Sequence, residues 1–464
     1  MVSKKLAIKH NAIPIAIENN NLIIAIAKEN FYAVEDFKLA TGKNIILKIR
    51  DEKEIKSDIE RFYSKSSVES EDYSKLVLNE LLENALDFNA SDIHIEPFET
   101  NLRIRMRIDG YLKEIYNYSI NMHMQLITVI KLLAGIDIAE RRLPQDGRID
   151  RNINGNIVDL RISTIPTIYG EKVVIRLLNR DKFIIDKKEI GFSDIAIDKV
   201  GKIIKNMSGI LLITGPTGSG KTTTMYSILN DFKNMDKNIV TIEDPVEYKI
   251  EGINQIPLNT KIGLNFANGL RSILRQDPDI IMVGEIRDVE TAQIAMRAAS
   301  TGHFVISTMH TNNSVEAINR LLDMGIPRYL IASCLKGIIS QRLVRRVCNY
   351  CSVDIDEEDN LKHTFKAKRK ISIGCEDCNK TGFKGRVALN EIVEIDKKIR
   401  RAIVECKNIE EIYSIAKEDN MITFEDSFKY LLKENITTIN ECLLTNLFSE
   451  VRWIFGNIWM LSIW

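Results

Sequence analysis

The sequence predicts an α/β protein. Two patterns support this fold class, and the chain length gives the number of domains. From residue 210 onward, short apolar runs typical of buried strands, the first at Ile210–Ile213, are separated by helical patterns. Alternating polar and apolar residues, as in Leu102–Ile108, indicate half-buried strands earlier in the chain. A chain of 464 residues is long enough for roughly three domains, each with its own core.

Composition indicates an ordinary globular protein, with 45% hydrophobic and 28% charged residues. Lys+Arg and Asp+Glu are 64 each, so the chain lacks the basic excess of many nucleic-acid binders, and no nucleic-acid partner is expected. No signal peptide is recognisable, and no run approaches the ~20 apolar residues of a membrane span. Seven cysteines without a secreted-scaffold layout favour a reducing cytoplasm.

Residues 1–66 are expected to form a small α/β module. The predicted elements are strands at Ile13–Ile17, Leu22–Ala27 and Ile45–Ile49 and helices at Phe31–Thr41 and Lys53–Tyr63. The polar, serine-rich segment Ser64–Asp72 is interpreted as a linker to the next domain.

Residues 73–181 are expected to form a second domain. An amphipathic helix is predicted at Lys75–Asp87 and another helix at Ile127–Leu133. Strands are predicted at Ile93–Glu96, Leu102–Ile108, Ile157–Ser163 and Lys172–Leu178, with a hairpin turn at Asp109-Gly110. Arg161 and Arg176 lie on the last two of these strands.

The third domain, residues 182–464, contains a phosphate-loop motif, G-x-x-x-x-G-K-[ST], that matches at every fixed position. Glycines let the backbone curl around phosphate oxygens, and the helix Lys221–Asn230 turns its first N–H groups toward the anion. Lys221 adds charge at the β/γ-phosphates, and the Thr222 hydroxyl can ligate Mg²⁺. The predicted ATP-binding residues are Gly215, Pro216, Thr217, Gly218, Ser219, Gly220, Lys221 and Thr222.

Three further apolar strands end in groups that could act on a nucleotide: Asn238–Ile242 at Glu243, Ile280–Val283 at Gly284-Glu285, and Phe304–Ser307 shortly before His310. Glu243 could orient and deprotonate the attacking water, and Glu285 could hold Mg²⁺ or its waters. His310 could bond the γ-phosphate and report its loss. The alternatives are surface acids and a structural histidine. Arg161 and Arg176 could act as arginine fingers, although a lone strand arginine is more often simply solvated.

Together these motifs resemble the secretion ATPases of type II secretion and type IV pilus assembly. The four boxes that carry the resemblance are Gly215–Thr222, Glu243–Tyr248, Leu274–Asp288 and Thr301–Thr311. Four further segments are also similar to the family: Asp92–Glu96, Arg107–Gly110, Pro144–Arg148 and Gln341–Val344. At matching positions the resemblance implies Glu243 as general base, Glu285 as Walker B acid, His310 as phosphate sensor, and Arg161 and Arg176 as ATP-facing arginines.

The resemblance also implies an architecture. Residues 182–464 would be a RecA-like P-loop ATPase domain, residues 73–181 a PAS-like α+β domain, and residues 1–66 a truncated N-terminal module. A cytoplasmic homohexamer would associate peripherally with the inner membrane through an integral-membrane platform protein. Some members bind cyclic di-GMP through arginine- and leucine-bearing repeats in that module, which this sequence lacks, so no such binding is expected.

Two C-x₂-C pairs, Cys348 with Cys351 and Cys375 with Cys378, indicate a structural tetrahedral Zn²⁺ site within an insertion at residues 348–378. The charged segment Asp354–Lys370 has little core and is expected to need the metal to fold. The alternative is a pair of disulfides. Members of the family that drive assembly and secretion carry such a site, which supports zinc.

The expected function is an ATP hydrolase motor that powers type IV pilus assembly. Retraction motors of the family typically lack both the tetracysteine insert and a preceding module. This chain has both, so it resembles an assembly or secretion motor. Type II secretion and a DNA-uptake pseudopilus are alternatives within the family; a nucleotide switch without turnover and a nucleic-acid translocase are alternatives outside it.

The atypical apolar tail, 448–464, holds all three tryptophans and could lie in a membrane interface, dock on a partner, or have no selected role.

Overall fold

A computed structural model of the chain describes residues 2, 4–18, 21–28, 30–179, 185–205, 207–233, 236–355, 369–419 and 421–445. The chain divides into two compact units, Met1–Leu177 and Leu178–Trp464. Within the described ranges, no helix combines the length and apolar character needed to cross a bilayer. The expectations for the tail at 448–464 and for most of the 354–370 segment fall outside the described residues.

The chain starts with a three-stranded sheet in the order β1-β2-β3, in which β1 is antiparallel and β3 parallel to β2. The elements are α1 (Lys4–His10), β1 (Ala12–Glu18), β2 (Asn21–Ile26), α2 (Phe31–Thr41) and β3 (Asn44–Ile49). The Asn30 side chain caps α2 by accepting from the Tyr32 N–H, and Gly42 ends the helix in the left-handed region at φ 67°. The predicted strands and helix of this segment are confirmed.

One helix, α3 (Glu52–Asp87), runs through Ser64–Asp72, so the linker expected there is wrong. The helices predicted at Lys53–Tyr63 and Lys75–Asp87 are parts of this single helix. The sequence from 52 to 87 contains no glycine or proline to interrupt the backbone hydrogen bonds, and a polar composition alone does not stop a helix. The last turns of α3 bury Leu78 and Leu81 against the following sheet.

The rest of the first unit is a six-stranded sheet in the order β6-β5-β4-β9-β8-β7. Its elements are β4 (Asp92–Pro97), β5 (Asn101–Ile108), β6 (Tyr111–Ser119), α4 (His123–Ala134), β7 (Gln145–Ile153), β8 (Asn156–Thr167) and β9 (Gly170–Asn179). In β5 every second residue is buried against α3 and α4, which leaves the arginines of this strand on the other face. The predicted hairpin turn is confirmed, since Asp109 and Gly110 both have positive φ.

The second unit is built on a seven-stranded sheet in the order β12-β11-β13-β14-β10-β15-β18. All neighbouring strands are parallel except β15 and β18. The strands are β10 (Gly209–Thr214), β11 (Ile239–Glu243), β12 (Asn254–Pro257), β13 (Ile280–Val283), β14 (Phe304–Met309), β15 (Leu335–Val347) and β18 (Phe383–Glu394). A short antiparallel pair, β16 (Ser352–Ile355) and β17 (Arg369–Ser372), lies between β15 and β18 in the sequence.

Helices cover both faces of this sheet. They are α5 (Lys187–Ile190), α6 (Asp194–Lys205), α7 (Lys221–Phe232), α8 (Phe266–Ile273), α9 (Val289–Ser300), α10 (Glu316–Asp323), α11 (Arg328–Cys334), α12 (Lys397–Val404), α13 (Ile409–Glu418), α14 (Phe424–Lys433) and α15 (Ile439–Leu443). Ile210 and Leu212 of β10 belong to one buried cluster, and Leu211 and Ile213 to the cluster on the opposite face. Burial on both faces explains why the parallel strands appear in the sequence as continuous apolar runs.

Candidate functional site

The predicted phosphate loop connects the end of β10 to the start of α7. Gly215, Gly218 and Gly220 have φ values of 144°, 77° and 84°, a region that favours glycine. A Cβ at Gly215 would lie 2.4 Å from the carbonyl oxygen of Gln341, and a Cβ at Gly220 would lie 2.8 Å from the Nε2 of Gln341. Gly215 and Gly220 are therefore required both by the backbone conformation and by the close approach of Gln341 on β15.

The polar groups of the loop fit an anion. The Lys221 Nζ donates to the carbonyl oxygens of Gly215 and Pro216, each at 2.9 Å. Burial lowers the pKa of Lys221 to about 8, while the nearby charge of Glu285 acts in the opposite direction. Among the described residues, the buried Ser219 hydroxyl has no hydrogen-bond partner. The Lys221 ammonium and the Ser219 hydroxyl are thus polar groups of this loop that could meet an anion.

The other predicted loop residues occupy the surface of the same turn. Pro216, Thr217 and Gly218 are exposed, and Thr222 is half-buried in the first turn of α7. The helix N-terminus has no side-chain cap: Gly220 occupies the cap position and offers no side-chain acceptor. The first N–H groups of α7 are therefore not capped by a side chain at Gly220 and could face an anion.

Glu243 lies at the end of β11, and its side chain is buried, with 3% exposure. Its Oε1 accepts hydrogen bonds from the Thr241 hydroxyl at 2.6 Å and from the Gln255 Nε2 at 3.1 Å. Its Oε2 accepts from the hydroxyl of Tyr226 on α7. Burial and the charge of Glu243 raise the pKa of Tyr226, so the phenol stays protonated as a donor. The sequence located Glu243 but gave no signal for these three partners.

Glu285 and His310 follow the neighbouring strands β13 and β14, and the structure brings them together. The Oε2 of Glu285 lies 3.6 Å from the Nε2 of His310, and its Oε1 lies 2.7 Å from Arg287. His310 shares a cavity of ≈340 Å³ with Gly215 and Pro216 of the phosphate loop. Two of the three residues predicted at strand ends thus lie beside the loop in one site, and the parallel strand order is what aligns them.

Two residues fix the segment after His310: Arg342, which the sequence placed only within a motif of the resemblance, and Glu391, which sequence reasoning missed. The Nη2 of Arg342 donates to the carbonyl oxygen of Asn312 at 2.8 Å. The backbone N–H of Ser314 donates to the buried carboxylate of Glu391 at 2.8 Å. Burial raises the pKa of Glu391, and the Ser314 hydrogen bonds act against that rise. A buried acid opposite a loop serine has no local sequence signature.

Arg161 and Arg176 lie together in the first unit. They line a cavity of ≈580 Å³ on the sheet face formed by β7, β8 and β9, and Arg148 lines it with them. Arg148 pairs directly with Arg161 across the β7–β8 ladder and forms a two-pronged ion pair with Asp159 at 2.8 and 2.7 Å. Arg148 was noted only within a motif of the resemblance, so the structure adds it to this arginine cluster.

The four predicted zinc ligands form one cluster. Their sulfur atoms lie within 4.8 Å of one another, with Sγ–Sγ distances of 3.8 Å for Cys348–Cys375, 3.7 Å for Cys351–Cys378 and 3.7 Å for Cys375–Cys378. A disulfide would require about 2.05 Å, and none of these cysteines is bonded. Four sulfurs about 2.3 Å from a tetrahedral Zn²⁺ lie about 3.8 Å apart, so the cluster is compatible with zinc.

The ionisation of one ligand also suits a cation. Burial opposes the thiolate form of Cys378. The amide N–H groups of Cys375 and Gly382, each 3.2 Å from its sulfur, together with the neighbouring thiols of Cys351 and Cys375, lower its pKa to about 6. Cys348 directly follows β15, and Cys375 and Cys378 shortly precede β18. The cluster therefore closes the end of the β15–β18 pair.

A parallel sheet whose strand leads through a glycine-rich loop into a helix, with acids at the same sheet edge, defines the class of P-loop nucleotide-binding proteins. The family model described as "Type II/IV secretion system protein" matches residues 67–444, and the chain belongs to this family. The resemblance noted in the sequence motifs is thereby confirmed.

Named relatives come from both branches of the family. The chain is 41% identical over 478 residues to the type IV pilus assembly ATPase PilB of Thermus thermophilus, an alignment that covers 96% of this chain and 54% of that protein. It is 47% identical over 333 residues to the type II secretion system protein E of Aeromonas hydrophila, covering 70% and 66%. The chain thus spans less than two thirds of either relative.

A solved structure supports the fold. The pilus retraction motor PilT with bound ADP matches with a TM-score of 0.53 and 27% identity, over 78% of this chain and 95% of that one. The mixed α/β fold expected from the sequence is confirmed at this level.

Proposed function

We propose that this chain is an ATPase that converts ATP and water to ADP and phosphate and couples the reaction to mechanical work in type IV pilus assembly. The observation that carries the proposal is the shared cavity of the phosphate loop and His310, next to Glu285. The family match and the relatives named as pilus assembly ATPases support the coupling.

The phosphate loop is the part of the site that holds ATP. Lys221 and the Ser219 hydroxyl meet the phosphates, and the first N–H groups of α7 add their dipoles. Thr222 and Glu285 are the residues that would hold Mg²⁺, which neutralises charge on the β- and γ-phosphates when bound. This arrangement is supported by the lowered pKa of Lys221 and the unpaired state of Ser219 within the described residues.

Glu243 is the proposed general base. Its three hydrogen-bond partners fix the carboxylate, which lets it orient a water for in-line attack without reorganisation. His310 is the proposed γ-phosphate sensor, because it lies beside both Glu285 and the loop. Loss of phosphate would free His310 and change the contacts of the Asn312 segment that follows it.

Arg161 and Arg176 are the proposed ATP-facing arginines of residues 73–181. They share a cavity with Arg148, which Asp146 also lines, and Arg176 pairs with Asp92 at 3.2 Å. R161A and R176A are expected to lower turnover about tenfold or more with little change in ADP affinity, because arginine fingers act on transition-state charge. R151A, on β7 but outside this cavity, is the control. Unchanged turnover in both variants would contradict the assignment.

The finer architecture is carried from the family. We assign residues 182–464 to a RecA-like domain, residues 73–181 to a PAS-like domain, and residues 1–66 to a short N-terminal module. The working unit is a homohexamer at the cytoplasmic face of the inner membrane, held there by a platform protein of the pilus machine. Zn²⁺ on the four cysteines is structural, since all four tetrahedral positions are taken.

The experiment that tests turnover replaces Glu243 by Gln. E243Q is expected to bind ATP as the parent does and to lose at least about 100-fold in turnover, because the amide accepts no proton. E251Q is the matched control, since the Glu251 side chain is 93% exposed on the surface. A variant E243Q that hydrolyses ATP at the parental rate would overturn the proposal.

Type II secretion is the second candidate function, favoured by the 47% identity to the Aeromonas hydrophila protein. Deleting the gene in its host separates the two. Loss of surface pili with normal secretion is expected, and complementation by the parental chain but not by E243Q should restore them. Loss of secretion with normal pili would instead establish the second candidate.

A further inference from the structure

Gln341 on β15 is a buried side chain in direct contact with the phosphate loop. Its side chain is 1% exposed. The Nε2 donates to the carbonyl oxygen of Ser219 at 2.7 Å, and the Oε1 accepts from the hydroxyl of Thr224, in the first turns of α7, at 2.7 Å. One amide therefore joins the loop to the helix that follows it.

The backbone and the side chain of Gln341 both approach the glycines of the loop closely. The carbonyl oxygen of Gln341 occupies the space that a side chain at Gly215 would need, and its Nε2 occupies that space at Gly220. Contact at both ends of the loop means that the loop cannot shift toward β15. The side-chain amide of Gln341 then sets the orientation of a peptide group that lies between these two contacts.

That peptide joins Ser219 to Gly220. In a trans peptide the C=O and the following N–H point in opposite directions. Because Gln341 holds the Ser219 carbonyl on the β15 side, the Gly220 N–H is directed to the opposite side. An N–H turned away from β15 is free to bind an anion.

We propose that Gln341 is a positioning residue for nucleotide binding: it holds the Ser219–Gly220 peptide and the start of α7 in the orientation that receives phosphates. It touches no reacting atom and acts through Ser219 and Thr224. This inference rests on the proposed nucleotide site, although it does not require that the bound ATP be hydrolysed.

The test compares Q341M, which removes both polar groups at similar volume, with the parent and with Q293M. Gln293 is exposed on α9 and serves as the matched control. Binding of a fluorescent ADP analogue, kcat and KM for ATP, and thermal unfolding are measured on the full chain. Q341M is expected to weaken ADP binding and raise KM by about tenfold, with kcat within about threefold, because the lost contacts orient ground state and transition state alike.

A second variant keeps the inference testable if Q341M does not fold. T224V removes the donor to the Gln341 Oε1 at nearly constant shape, and it is expected to weaken ADP binding about threefold. A purely structural Gln341 would lower the unfolding temperature and leave KM and ADP affinity within twofold of the parent, which would overturn the inference. If the parent binds ADP but shows no turnover, the proposed ATPase fails while the binding comparison still decides the role of Gln341.

Discussion

The hydroxyl of Tyr226, on the helix that follows the phosphate loop, donates a hydrogen bond to the carboxylate of Glu243 at the end of β11. The Tyr226 ring is fully buried and packs edge-on against Tyr248, with ring centroids 4.4 Å apart. This contact ties the proposed base to the helix that begins with Lys221. Movement of that helix on nucleotide binding would therefore shift the Tyr226 hydroxyl and with it the carboxylate of Glu243.

Replacing Tyr226 by Phe tests this tie. Y226F keeps the ring packing and removes one donor to Glu243, so we expect kcat to fall about tenfold while KM for ATP changes little. Steady-state kinetics measures both. Y329F is the matched control, because Tyr329 is exposed on α11. A variant Y226F with parental kcat would show that this contact does not position the base.

The lowered pKa of Lys221 predicts a pH dependence of nucleotide binding. Burial brings that pKa to about 8, and a bound phosphate would raise it again. ADP affinity should therefore fall as pH rises above about 8, and binding near this pH should take up a proton. Calorimetry in two buffers of different ionisation enthalpy measures the uptake. Binding without proton uptake would contradict the prediction.

The free energy of unfolding of the ligand-free chain should change with pH in the direction opposite to the ADP affinity. Because the unfolded lysine keeps its ordinary pKa of 10.5, the unfolded chain binds more protons than the folded one between about pH 8 and about pH 10.5. This group alone therefore makes the folded state more stable as pH rises through that window. K221M should remove both this contribution and the proton uptake, which separates them from other titrations.

Gly215 and Gly218 provide a matched pair for the contact with β15. Both have positive φ, but a Cβ at Gly218 meets nothing within 4 Å, whereas a Cβ at Gly215 meets the backbone of Gln341. G218A should cost about 1–2 kcal/mol for the backbone conformation alone. G215A should cost at least about 3 kcal/mol, because the clash is added. Denaturant unfolding without nucleotide compares them; equal losses would argue against the close approach.

The four-cysteine cluster predicts one tightly bound zinc per chain. C351S, or treatment with a chelator, should abolish stoichiometric zinc and lower the unfolding temperature by at least about 5 °C, because a bound metal would close the end of the β15–β18 pair. C406S is the control, since Cys406 is an exposed free cysteine outside the cluster. Elemental analysis of the purified chain gives the metal content. Protein purified with four free thiols and no zinc would exclude this role.

Sequence patterns located much of the fold and several site residues. The apolar runs at Ile210–Ile213 and Ile280–Val283 became central parallel strands, and the two cysteine pairs came together as expected. The linker predicted at Ser64–Asp72 is wrong, because a polar composition does not by itself break a helix and the segment contains no glycine or proline. That error concerns local composition and not the periodic signal.

The sequence by itself determined the apolar central strands of the second unit, where the phosphate loop lies and which cysteines can share a metal. These features are local, because strand periodicity, the phosphate-loop motif and each cysteine pair are recognisable within a few consecutive residues. The sequence did not predict β6, β7, β12, β15 or β18. Only the tertiary structure decided that Tyr226 meets Glu243, that Gln341 meets Ser219 and that Glu391 meets Ser314. A buried polar group must find its partner on whichever strand or helix becomes its neighbour, and strand order is set by the packing of the whole sheet.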